Sequence, residues 1–367
     1  MSDNTKELEI LRQLYLKAES DIIAVIMRKQ SQGYVDFAET AALKRVQDIL
    51  NGLIDESWHY VPKIIERQFY IGKLGHATAG YANAVTMTAI ESPMVQILVN
   101  SLMDDLTEAA INARHRVNGM IIGRREPDVF RESMLKGLTE GEAAGEGLMK
   151  ANKVFMNNMQ EQQGITVFTD KSGRNWRLSS YANMAARATS RQAANAGVLF
   201  SDPDRDLYQI SSHSPTCGVC APLQGRVYSR SGDDPHFPAL AEAFGKVDKK
   251  GETTLENSWL NIHPNCLHVI SKWSPEGKTA EEVREIMEFS SFASNPKEVD
   301  PRSEAEINAY RDKQRARAKL LNDYRQYDRY RAVLGEACPQ SFQTFQKHKL
   351  ANSEKYQQWM EVLQSSQ

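Results

Sequence analysis

The sequence predicts an α+β protein: a mainly helical N-terminal half, a small central α+β region with short antiparallel strands and a Cys/His cluster, and a helical C-terminal region. Three observations carry that prediction. Apolar residues recur at three- and four-residue spacing through most of residues 5–160, and again beyond residue 280. From residue 164 to 178 the pattern changes to strand-like alternation on both sides of Asp170-Lys171-Ser172-Gly173. Three of the four cysteines and four of the eight histidines then fall within residues 207–273, so one short region holds most of the soft metal ligands.

Taken in order, Ile10, Leu11, Leu14 and Leu16, then Ile22, Ile23, Val25 and Ile26, mark a first amphipathic helix. A second is expected over residues 37–54, ending near Asn51-Gly52. Ser92-Pro93 places a cap and a first-turn proline before a stripe of Val95, Leu98, Val99, Leu102, Leu106, Ala109 and Ala110, with Gly123 as its stop. Pro127 opens a further helix to about residue 160. Gly137, Gly141, Gly145 and Gly147 weaken it or permit close packing. A β-hairpin follows over residues 165–178. Ser179-Ser180 then cap a helix that ends near Gly197, with Arg187 and Arg191 four apart on one face.

Downstream, Thr279 with Glu282 and Ser303 with Glu306 have capping-box spacing, the second before a long helix to about Leu334. In that helix Ile307, Tyr310, Leu320, Tyr324, Tyr327 and Leu334 form the apolar stripe. Residues 303–334 carry eight Lys/Arg against five Asp/Glu, a local +3 that suits either nucleic-acid contact or a solvated helix face. The tail reads as two short helices with an aromatic stripe, and residues 290–302 are the best linker candidate. The resulting division is a helical assembly region (1–163), a central α+β region (164–275) and C-terminal helices (276–367).

Composition narrows the function classes. Forty-five Lys/Arg against 47 Asp/Glu leave a net charge of −2, which gives no global signal for nucleic acid. No run approaches the roughly 20 apolar residues of a membrane-spanning helix. The charged, amphipathic start is unlike a signal peptide, so folding in a reducing cytoplasm is expected, with thiols free or metal-bound. Dinucleotide, phosphate-loop, zinc-protease and serine-hydrolase motifs are absent from the sequence.

The central chemistry lies in Cys217-Gly218-Val219-Cys220 and His263-Pro264-Asn265-Cys266. Two thiolates on one tight turn and a His/Cys pair downstream supply four soft ligands with no evident open position, which suits a structural zinc. The ligand set is Cys217, Cys220, His263 and Cys266, with His213 and His268 as substitutes or outer partners. Simple packing of buried cysteines, a redox pair and a Cys/His catalytic dyad stay open as alternatives.

The stretch 164–197, the segment from Tyr208 through Gln224-Gly225-Arg226-Val227-Tyr228 to Ser231-Gly232, the His263 to His268 segment, and the tail from Cys338 together carry a resemblance. They resemble the minor capsid proteins of tailed bacteriophages, specifically the phage minor capsid protein 2 group, and more distantly the Mu F-like head morphogenesis proteins. The resemblance is closest over residues 164–268. It implies a non-enzymatic virion protein, made in the host cytoplasm, that acts in head assembly near the portal vertex. The implied partners are the portal and major capsid proteins and, further, packaged DNA, with no membrane and no small-molecule substrate. Fusions of ADP-ribosyltransferase domains to some head-morphogenesis proteins keep an enzymatic alternative, for which Arg205, Ser211, Ser212, Glu252 and Glu256 are the candidate residues. The zinc expectation rests on this sequence and not on the group.

Overall fold

A computed structural model describes residues 3–32, 36–75, 91–122, 167–170, 173–245, 254–255, 258–334 and 337–364. The expected helix after Pro127 with its four glycines, and the stop at Gly123, lie outside the described residues. Helices α1 (Asp3–Gln32), α2 (Asp36–Leu74) and α3 (Glu91–Ile122) come first. The short strands β1 (Val167–Thr169) and β2 (Asn175–Arg177) and helix α4 (Leu178–Phe200) follow. Then come β3 (Leu207–Ile210), β4 (Val227–Ser229), the short α5 (Leu240–Ala243) and β5 (Ile270–Lys272). Helices α6 (Ala280–Ser290), α7 (Glu304–Leu334), α8 (Phe342–Leu350) and α9 (Glu354–Gln364) close the chain. The α+β class, with helices at both ends, is as the sequence predicts.

The chain forms two compact units, each assembled from three separated segments. One comprises Met1–Leu11, Ser57–Asp105 and Asn183–Gln314. The other comprises Arg12–Glu56, Leu106–Ala182 and Arg315–Gln367.

The first unit contains a three-stranded antiparallel sheet in the order β4-β3-β5. Tyr208 on the central strand faces Tyr228 on one side and Lys272 on the other. One face of this sheet is covered by α6: Val227, Phe237 and Trp273 form a buried cluster against Leu207, Val283, Ile286 and Met287. The Val227 main-chain N–H donates to the Ser290 hydroxyl at 3.0 Å, fixing the end of α6 to the strand. The expected capping box at the start of α6 is present, with Thr279 and Glu282 bonding each other's main-chain N–H. Residues 290–302 are bound along the sheet region rather than free. The buried Arg226 guanidinium donates to the carbonyls of Ser291 and Asn295, and Arg302 donates to that of Thr216.

The same unit shows why two glycines are required. Helices α2 and α4 cross so closely that a Cβ on Gly72 would lie 1.8 Å from the Ala194 oxygen. One on Gly197 would lie 1.9 Å from the Phe69 oxygen. Gly197 therefore does not end α4, which continues to Phe200. It removes a side chain where two backbones meet. Helix α2 likewise runs through Asn51-Gly52 and through Pro62 to Leu74. Buried Val46, Leu50 and Leu53, then Val61, Ile64, Ile65 and Phe69, keep the helical period on both sides. That burial outweighs local penalties of about 1 kcal/mol for glycine and about 3 kcal/mol for proline.

In the second unit, β1 and β2 pair as a hairpin, with Phe168 opposite Trp176. Asp170 holds its turn, accepting the Trp176 indole N–H at 2.8 Å and the Arg174 main-chain N–H at 2.9 Å. Strand β2 passes directly into α4, one residue before the expected cap. Ser179 does not cap the helix itself. Its main-chain N–H and its hydroxyl both donate to the buried Glu19 carboxylate of α1, at 3.1 and 2.9 Å. A negative charge at a helix N-terminus is favourable, so α1 supplies the cap from 160 positions away in sequence.

The C-terminal helices pack by aromatic contact. Tyr324 stacks on Phe342 at 3.6 Å, and Phe345 meets Tyr327, Tyr330, Tyr356 and Trp359. The expected stripe on α7 is thus buried only in its later part. Leu320 is exposed, as is every residue from 311 to 319.

Candidate metal centre

Two loops that leave the sheet build the site. The first follows β3, where the main-chain N–H of Ala221 donates to the Cys217 carbonyl and that of Gln224 to the Cys220 carbonyl. These bonds wind residues 217–224 into tight turns. Gly218 leaves room there for the Arg302 guanidinium, which would lie 2.8 Å from a Cβ at this position. The second loop precedes β5. Buried Asn195 of α4 pins it, donating to the Leu260 carbonyl and accepting the Ile270 N–H. The Cys266 N–H closes its turn on the His263 carbonyl at 2.9 Å.

The loops bring their side chains together. His263 Nε2 lies 3.3 Å from Cys217 Sγ and 3.2 Å from Cys220 Sγ. Cys220 Sγ is 3.7 Å from Cys266 Sγ, and Cys266 Sγ is 3.2 Å from His268 Nδ1. Among the described residues two ligand triads result, Cys217/Cys220/His263 and Cys220/Cys266/His268, sharing Cys220. The second triad is buried throughout, with its residues 1, 4 and 5% exposed. A zinc ion with bonds of about 2.3 Å to sulfur and about 2.0 Å to nitrogen sets tetrahedral edges of about 3.8 Å (S···S) and about 3.5 Å (S···N). The four separations lie at or slightly below those edges, so each triad offers three corners of a tetrahedral cation site, with Cys220 common to both. At 3.7 Å the sulfurs are far beyond a disulfide bond of about 2.05 Å, and all the cysteines are free.

Electrostatics separate the three thiols. Hydrogen bonds from the Cys220 thiol and from His263 hold Cys217 down at about 3. A hydrogen bond from the Cys220 thiol, and then one from the His268 main-chain N–H, hold Cys266 at about 4. Cys220, between two sulfurs and buried, is pushed far up. Cys217 and Cys266 are thus biased toward the thiolate and Cys220 toward the thiol. Main-chain N–H groups of Cys220 and His268 each point at a sulfur at 3.4 Å, which favours the thiolate forms further. His263 is raised by its bond to Cys217. His213 is lowered, first by partial desolvation of its otherwise exposed ring and then by neighbouring His268.

Of the expected residues, Cys217, Cys220, Cys266, His263 and His268 all meet here. His213 does not join either triad; it is exposed, with its ring 4.5 Å from that of His268. Two contributors were not anticipated. Gln224 Oε1 contacts both His268 Nε2 and the His213 N–H at 2.9 Å. Arg191 is half-buried, and burial lowers its pKa against the opposing pull of Cys266. The Gln224 signal was present in the Gln-Gly-Arg-Val-Tyr motif, but nothing in the motif says where that side chain points.

Two residues of the enzymatic alternative have partners within the fold. Arg205 donates to Asp202 and to the Trp273 carbonyl, and the Ser211 hydroxyl accepts the Val269 N–H. Glu252 and Glu256 lie outside the described residues. Cys338, in the other unit, is a buried filler whose thiol burial pushes up to about 11.

The fold and the cluster define a helix-rich α+β protein whose central loops are gathered around a closed set of thiols and imidazoles. The chain belongs to the phage minor capsid protein 2 family, whose model matches residues 5–320. It is a structural protein of a bacteriophage capsid, and its place is the virion. Comparisons with curated proteins and with solved structures find no match. Among the described residues, no helix is long and apolar enough to cross a membrane.

Proposed function

We propose that this chain is a minor capsid protein that acts in head assembly at the portal vertex, bound to the portal and major capsid proteins, with a structural zinc at its centre. Family membership over residues 5–320 is the observation that carries this reading. The metal part is supported by the buried Cys220, Cys266 and His268, which would shield a bound ion from solvent and so favour a staple over catalysis. A small sheet with long loops has little core of its own, and a cation joining the loops offsets the entropy of ordering them. Each ligand loop also turns an apolar side chain outward, Val219 at 60% and Leu267 at 46% exposure, as a surface that meets another protein would.

The test is an image of the intact particle at a resolution that traces this chain. Density at the portal vertex, touching portal and major capsid subunits, supports the proposal. Density distributed over the capsid lattice, or normal heads assembled without the chain, refutes it.

Packaged DNA is a further partner on one specific observation. Five Lys/Arg at 311, 313, 315, 317 and 319 lie on a fully exposed stretch of α7. Binding to duplex DNA should then weaken with salt at a log–log slope of about 0.9 per phosphate contacted. Salt-independent binding, or none, removes this partner.

A further inference from the structure

We propose that His268, through Nδ1, is the nitrogen ligand of the metal beside Cys217, Cys220 and Cys266, and that Gln224 is the positioning residue that frees this nitrogen. The proposal rests on the metal reading above and decides between two histidines that both touch the thiols.

The argument follows the protons. The His213 main-chain N–H can only donate, and it points at the Gln224 side-chain atom 2.9 Å away. That atom is therefore the amide oxygen, an acceptor. The same oxygen lies 2.9 Å from His268 Nε2, so Nε2 must be the ring nitrogen that carries the hydrogen. A neutral imidazole protonated at Nε2 has its lone pair at Nδ1. His268 Nδ1 is the atom that faces Cys266 Sγ at 3.2 Å, inside the fully buried triad. A ring nitrogen whose partner N–H is held by a side-chain oxygen is the usual arrangement of a metal-bound histidine. A lone pair aimed at an electron-rich sulfur is a repulsive contact that a shared cation turns into two bonds.

His263 is wired the other way. Its Nδ1 faces the Asn265 main-chain N–H at 3.2 Å and must accept there. The ring hydrogen then sits on Nε2, directed at the sulfurs of Cys217 and Cys220. In that state His263 donates N–H···S bonds to the ligand sulfurs and has no lone pair to offer a metal. To coordinate, it would have to surrender the Asn265 bond. His213 Nε2 lies 3.3 Å from the Leu267 carbonyl, where it serves as a donor, and its ring packs on that of His268. Three imidazoles thus divide into one ligand, one donor to the sulfurs and one packing partner. The ligands come as two pairs, Cys217 with Cys220 on one loop and Cys266 with His268 on the other.

The experiment uses the full chain loaded with zinc and labelled with 15N at histidine. Long-range proton–nitrogen correlation spectra should show a metal-bound Nδ1 and a protonated Nε2 for His268, and a protonated, unligated Nε2 for His263. His268→Ala should lose most of its zinc, whereas His263→Ala should keep it. Gln224→Ala should weaken zinc about 10- to 100-fold in competition with a chromophoric chelator. Gln224→Glu, which keeps an acceptor oxygen, should restore most of that loss. If His268→Ala fails to fold, the wild-type spectrum alone decides. Metal on His263 Nε2, or loss of zinc from His263→Ala and not from His268→Ala, overturns the assignment and leaves the metal reading standing. A wild-type chain that binds no zinc overturns both.

Discussion

Replacing Cys266 by serine removes one sulfur from the buried triad while changing the side-chain volume little. Cys220 and Cys266 are 46 positions apart, and in the metal-bound protein the cation closes that loop. The chain-entropy relation for a cross-link closing a loop of this length gives about 4 kcal/mol. For a cooperative unit of 150–250 residues, each kcal/mol moves the melting temperature by about 2–4 °C, so a fall of about 8–16 °C is expected. The assay pairs thermal melting with metal analysis by mass spectrometry under native conditions. The wild type should hold about one zinc per chain, and Cys266→Ser should melt lower and hold much less. A chelator should bring the wild type down to the variant and leave the variant unchanged. Cys338→Ala, which alters the buried thiol outside the cluster, should keep the metal. Equal metal content with equal melting in wild type and Cys266→Ser would refute the staple. A melting loss that the chelator cannot reproduce would assign the cysteines to packing alone.

Two glycines should respond oppositely to alanine. Gly72→Ala places a methyl 1.8 Å from the Ala194 oxygen and should destabilise by about 1–3 kcal/mol or more, whereas Gly52→Ala meets open space inside α2 and should stabilise by up to about 1 kcal/mol in denaturant melts. Glu19→Ala removes both acceptors of Ser179 at the start of α4 and should cost about 1.5–3 kcal/mol, with a loss below about 0.5 kcal/mol contradicting the cap. Zinc affinity should rise with pH. Cys217 and Cys266 are held at about 3 and about 4 and are already ionised near neutrality, while Cys220 is pushed up and must release its proton to bind. Release of the Cys220 proton alone means a gain of about tenfold per pH unit near neutrality, and a proton displaced from the histidine ligand at lower pH adds to it. Affinities measured at pH 6, 7 and 8 that do not change would show that no thiol proton is displaced.

How far the sequence could be read follows from the range of each interaction. The Thr279/Glu282 and Ser303/Glu306 boxes were legible because both partners lie within one helical turn, and both are formed. The hairpin around Asp170 to Gly173 was legible for the same reason, as were the aromatic C-terminal helices. The end assigned to α2 at Asn51-Gly52 was not borne out. Local propensity favours a stop there, and only burial of the flanking apolar stripe, a tertiary effect, carries the helix on. The start of α4 was misread because its cap is Glu19, a partner no local pattern can announce.

The sequence by itself determined the class of the fold, the inventory of thiols and imidazoles, and the turns that pair Cys217 with Cys220 and His263 with Cys266. Ligand type and short spacing are properties of adjacent residues, so they survive without coordinates. The tertiary structure alone decided that Cys220 stands between the other two sulfurs. It alone decided that Gly197 marks a helix crossing, and that Gln224 reaches His268 across 44 positions of chain. Which ring nitrogen holds a hydrogen depends on the donor or acceptor opposite it, and only folding sets that neighbour.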